Sequence, residues 1–143
     1  MHAVRDLEVV DDERAADVQR VWRRLVELRT LRDGWIEGEG VLPDPVVVAR
    51  AREILARLLV DDRELPRPKV YPTPDGGIQV EWTLGDWGAE LRFRPDENVV
   101  TAEATHLETG EQREALFGSG QVTAESTAAL QSWLAPMKSS FAR

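Results

Sequence analysis

Three features of the sequence predict an α+β fold. Apolar residues recur at spacings of three and four through the first 62 positions, alternation takes over after Pro68, and a last amphipathic stretch lies near the C-terminus. The expected architecture is two N-terminal helices, a five-stranded antiparallel meander and a C-terminal helix, with the helices on one face of the sheet. Residues 1–10 read as a polar lead-in and 11–143 as a single α+β domain. At 143 residues such a domain buries enough surface to form a core without staples.

The first helix is expected over 11–34, "DDERAADVQRVWRRLVELRTLRDG". Val18, Val21, Trp22, Leu25 and Leu28 form its apolar stripe. Asp11, Asp12 and Glu13 at the start and Arg29 and Arg32 at the end suit the helix dipole, and Gly34 offers a left-handed stop. After the glycine-rich connector "WIEGEGVLP", Asp44 is a natural N-cap and Pro45 fits the first helical position of a second helix. Val47, Ala51, Ile54, Leu55 and Leu58 share its inner face, and Glu53 and Arg57 form an i,i+4 pair. "RELPRP" follows as a stiff linker.

Strands are expected at 69–73, 78–84, 89–94, 99–106 and 111–117. Between them lie Pro74-Asp75-Gly76-Gly77, Gly85-Asp86-Trp87-Gly88, Pro95-Asp96-Glu97-Asn98 and Glu108-Thr109-Gly110, all rich in turn residues. Links this short make neighbouring strands antiparallel. Pro72 has no N–H to give a ladder, so the first strand belongs at an edge. The stretch "YPTPDGGIQVEW" is therefore a hairpin turn: Pro74 presets φ, Asp75 tolerates the next position and Gly76 takes the left-handed one. Its glycines open a strand, whereas a phosphate loop opens a helix. A third helix is expected near Thr123–Ala135, with Leu130, Trp133, Leu134 and Met137 inward and Pro136 as its stop.

Composition narrows the function. With no cysteine there is no disulfide, thiol chemistry or thiolate zinc site. A formal net charge of −8 repels phosphate backbones, so nucleic acid is not an expected partner. The arginines of the first helix read as a solvated face beside Asp17 and Glu27. No apolar run is long enough to span a membrane, and the N-terminal residues do not resemble a secretory signal, so a cytoplasmic setting is expected.

A four-residue turn at Gly85–Gly88 would set Trp82 opposite Leu91, Val80 opposite Phe93, Glu81 opposite Arg92 and Gln79 opposite Arg94. The next two turns set Leu91 opposite Ala102 and Ala102 opposite Ala115. One face is then apolar across four strands, as a correct register requires. The other aligns Glu90, Glu103 and Glu114, like charges that repel, with Arg92 and Arg113 as partial compensation.

The remaining candidates for chemistry are sparse. His106 ends a strand with no nucleophile to serve. Asp33, Glu37, Glu39 and Asp44 lack the spacing of a calcium loop, and "GSGQVT" (118–123) lacks both a dinucleotide fingerprint and a P-loop lysine. Trp22, Trp82 and Trp133 read as core. Trp35 and Trp87 lie in connectors, where each folds back on the core or anchors a protein interface.

Leu31-Arg32-Asp33-Gly34-Trp35, the proline-started helix and Pro72-Thr73-Pro74-Asp75-Gly76-Gly77-Ile78 with Glu81-Trp82 together form an "L..GW" helix end and a "P.PDGGI..EW" hairpin. In these the chain resembles a group of small uncharacterised bacterial proteins over about residues 20–95. Members of the group carry an Asp-Gly pair after the tryptophan, where this chain has Ile36-Glu37-Gly38. The resemblance implies a fold rather than an activity.

The expected function is a non-catalytic protein-interaction module, antitoxin-like, immunity-like or an accessory subunit, without cofactor or metal. Its partner would bind the polar sheet face or edge strand through Glu81, Glu90, Arg92, Glu103 and Glu114, with Trp87 and Trp35. Two alternatives are a small metal-dependent enzyme built on a carboxylate cluster, and a structural subunit that forms a homo-oligomer through the edge strand.

Overall fold

The computed structural model describes residues 2–62, 64–118 and 124–141. Along them run α1 (His2–Arg29), α2 (Pro45–Asp61), β1 (Lys69–Pro72), β2 (Ile78–Leu84), β3 (Trp87–Phe93), β4 (Val99–His106), β5 (Gln112–Gly118) and α3 (Ala124–Phe141). The five strands lie side by side in chain order, each pair antiparallel. The α+β architecture expected from the periodicity is the one observed.

Helix α1 begins at His2, not at residue 11. No proline or glycine interrupts 2–29, so the helix runs through the supposed lead-in and leaves Asp11, Asp12 and Glu13 away from its first turn. It also ends earlier than expected. The amides of Thr30 and Leu31 bond back to the carbonyls of Glu27 and Leu28, a tighter turn that closes the helix at Arg29. Val21, Leu25 and Leu28 are buried, whereas Trp22 is half-buried under the Arg52 guanidinium, 3.5 Å from its ring centroid. Arg14, which no sequence pattern singles out, is buried. It donates to the carbonyls of Asp62 and Leu65 and so ties α1 to the segment after α2.

Gly34, with φ 83°, opens the connector instead of capping α1. The connector is a miniature hairpin: Ile36 and Glu39 exchange two main-chain hydrogen bonds of 2.8 Å around Glu37 and Gly38, both at positive φ. Trp35 closes it, donating from Nε1 to the Val41 carbonyl at 2.8 Å and lying against Gly40. Main-chain bonds from Val41 to Pro74 and from Asp44 to Gly76 then seam the connector to the β1–β2 turn. That turn has Gly76 at φ 88°, as expected for its left-handed site. A Cβ at Gly77 would lie 2.5 Å from the Phe93 carbonyl, so only glycine fits where β2 leaves the turn.

Asp44 caps α2, its Oδ1 accepting from the Val46 amide at 2.8 Å with Pro45 in the first turn. Helix α3 runs past Pro136, the expected stop. The exposed proline forfeits one main-chain bond, while Leu134 on one side and Met137 on the other are both fully buried and hold the helix to the core. Residues 119–123, most of the "GSGQVT" stretch, lie outside the described residues.

The helices cover one face of the sheet. Ile78, Val80, Trp82, Leu84, Ala89, Leu91, Phe93, Val100, Ala102 and Ala104 are buried beneath them, together with Ile54, Leu55 and Leu58 of α2 and Leu130, Leu134 and Met137 of α3. Trp82 fills the end of this layer and donates from Nε1 to the Pro66 carbonyl at 2.7 Å, so its one polar atom is satisfied.

Candidate functional site: the polar sheet face

Alternation sends every second side chain to the uncovered face, where each remains half-buried or exposed. The β2–β3 loop sets what aligns there. It is a two-residue turn at Gly85 and Asp86, with Gly85 at φ 58°, so Leu84 faces Trp87. The four-residue loop expected from two glycines is thereby corrected, and the β2–β3 register moves by two residues. Glu81 faces Glu90 rather than Arg92, Gln79 faces Arg92 rather than Arg94, Trp82 faces Ala89 and Val80 faces Leu91.

A shift of two leaves each residue on its own face but lengthens the acidic row. Glu81, Glu90, Glu103 and Glu114 now stand opposite one another across β2, β3, β4 and β5, and Lys69 faces Glu81 from β1. Like charges at directly opposed positions destabilise a sheet, so the row is kept against a cost. Burial raises the Glu90 carboxyl above its ordinary value; a hydrogen bond with the Glu103 carboxyl and the charges of Glu103 and Glu81 add to this, against the lowering effect of Arg92. Arg92 lies 3.4 Å from Glu90 and donates to Gln79 at 3.3 Å, and Gln79 in turn donates to Glu81 at 2.7 Å.

Beside the row, Gly88 leaves the floor bare between Thr83 and Thr105. The result is an open depression of about 540 Å³, rimmed by Arg67, Lys69 and the three glutamates Glu81, Glu90 and Glu103. Composition marks no such hollow; the two-residue turn contributes to it by putting a glycine on the outer face next to the acidic row.

Other expected site residues lie elsewhere. Trp87 is the first residue of β3, not part of a loop, and belongs to the helix-covered face: its ring packs on the core and meets His106 edge-on at 5.0 Å. Arg113 is on that face too, opposite Ala104 and 5.6 Å from the Trp133 ring centroid, and so does not compensate the glutamates. Trp35 is spent on the connector. His106 accepts from the amides of Glu108 and Thr109 through Nδ1, which stabilises the β4–β5 turn. Asp33 and Asp44 likewise accept from main-chain amides. Among the described residues, no three His, Asp or Glu side chains converge as a metal site would require, and no helix is long and apolar enough to cross a membrane. No protein-family model, curated protein or solved structure matches this chain.

Proposed function

We propose that the protein is a non-catalytic protein-interaction module whose polar sheet face receives a cationic region of a protein partner, in a cytoplasmic setting. The four-glutamate row carries this reading. It holds opposed like charges on an open face of a chain that is already acidic, and a basic partner would relieve their repulsion. Among the described residues, only Glu90 of the four has an arginine bonded to it within its own sheet. The metal-enzyme alternative has less support, since among the described residues no three acidic or histidine side chains gather in a way that could hold a metal ion.

The test couples stability to binding. Glu81→Gln combined with Glu103→Gln is expected to raise the melting temperature and to weaken binding of a capped oligo-lysine peptide by about tenfold at low salt, measured by calorimetry. If the variant binds that peptide as tightly as the parent, the face is not the docking surface.

A further inference from the structure

The two edges of the sheet are finished differently. On β1, the Thr73 amide donates to the Gly77 carbonyl. Alternation then pairs Tyr71 and Lys69 with β2 and turns the main-chain groups of Val70 and Pro72 outward. Pro72 has no N–H, nor does Pro68 before the strand, and the Val70 carbonyl is taken by Arg24 Nε from α1 at 3.0 Å. On β5, the His106 amide donates to the Glu111 carbonyl, so Arg113, Ala115 and Phe117 bond to β4. Gln112, Glu114, Leu116 and Gly118 therefore turn both N–H and C=O outward, all four residues are exposed, and no other strand pairs with them among the described residues.

We infer that β5 accepts an extended segment of a protein partner as a sixth, antiparallel strand, with a lysine or arginine opposite Glu114 and an apolar residue opposite Leu116. The inference rests on the reading of the polar face as the interaction surface and adds where the partner docks and in what order its residues run. Leu116 is 68% exposed on the same outer face as the glutamates, an apolar side chain at the margin of a polar surface. Among the described residues the acidic row ends at Glu114 with no cation opposite it on a further strand, whereas at its other end Lys69 stands opposite Glu81. An added cation would finish the row as Lys69 does. A second copy of this chain fits less well, because β5 against β5 would bring two acidic rows together on chains of net charge −8. Antiparallel pairing matches every other pair in the sheet and fixes the partner's order, N to C, as apolar, any, cation.

The probe is the capped heptapeptide Thr-Val-Leu-Val-Lys-Thr-Thr, titrated into the full chain to about 1 mM and followed by amide NMR and hydrogen exchange. Binding should slow exchange at Gln112, Glu114, Leu116 and Gly118. N-methylation at the peptide's Leu and Lys, whose N–H groups face β5, should weaken it at least about tenfold; N-methylation at its two Val residues should change it less than about threefold. Replacing its Lys by Glu should cost about tenfold. Leu116→Pro, which removes an outward N–H and the Leu116 side chain but no hydrogen bond to β4, should abolish binding with the melting temperature little changed; the methylated peptides isolate the main-chain contribution without altering the protein. Absence of binding, or equal binding by the peptide methylated at Leu and Lys, overturns the edge proposal. In the latter case, loss of binding in the Glu81→Gln, Glu103→Gln variant would leave the face reading intact. A dimer of the free chain that Leu116→Pro dissociates would make the occupant a second copy and overturn the basic segment.

Discussion

Leu91 and Glu90 are neighbours in one strand, yet they obey opposite rules. Leu91 points into the helix layer and is fully buried; Glu90 points the other way and faces two glutamates. On the covered face, cross-strand neighbours are Val80, Leu91 and Ala102, a set chosen by volume and hydrophobicity. On the open face, the same three strands carry Glu81, Glu90 and Glu103, a set that no rule of sheet stability would choose. The difference teaches where the fold is made and where stability has been given up.

Substitutions should separate the faces by both size and sign. The largest effect belongs to Leu91→Ala, which opens a cavity in the centre of the sheet layer and is expected to destabilise by about 3 kcal/mol in urea unfolding. Trp82→Phe keeps most of the apolar bulk but loses the indole hydrogen bond to the Pro66 carbonyl, so a loss of about 1 kcal/mol is expected from the same measurement.

Across the strand, the sign reverses. Glu90→Gln should stabilise by roughly 0.5–1 kcal/mol at neutral pH. Because the folded carboxyl binds its proton more tightly than the unfolded one, the cost of its charge, from burial first and from the neighbouring glutamates after it, is absent below the ordinary value of 4.5 and appears as pH rises through the raised folded value. The gain from Glu90→Gln should therefore shrink to nothing in melts below pH 4.5; a gain that persisted there would mean that charge is not its cause. Smallest of all is Gly88→Ala. The nearest atom to a new Cβ is 3.5 Å away, so stability should shift by less than about 0.5 kcal/mol while the hollow beside the acidic row fills.

Most of the covered face is legible in the sequence because alternation and burial agree: strands β2 and β4 begin and end where the pattern says, and β3–β4 and β4–β5 pair in the expected register. The β2–β3 register is not. "GDWG" offers two glycines, either able to take a positive φ, and local chemistry does not choose between them; the burial of the Trp87 ring against the core accompanies the shorter turn. That one ambiguity hides Glu81 from the row. Nor can the sequence show Arg14 as a buried tie between α1 and the segment after α2, since its acceptors are carbonyls 48 and 51 residues away. Pro136 misleads for a related reason: propensity marks a break, but burial of Met137 just beyond it decides otherwise.

The hairpin loops at 73–77 and 107–110 are similarly rich in turn residues but differ as places to attach something. The first is seamed to the helix connector and crowded at Gly77, so an inserted tag there would pry two layers apart. The second is exposed throughout, and although Gly110 itself sits at φ 75°, nothing lies within 4 Å of its Cβ position. A fluorophore or epitope spliced in at Thr109–Gly110 would sit at the end of β5 remote from Gly118, and would report on what arrives there without holding the layers open.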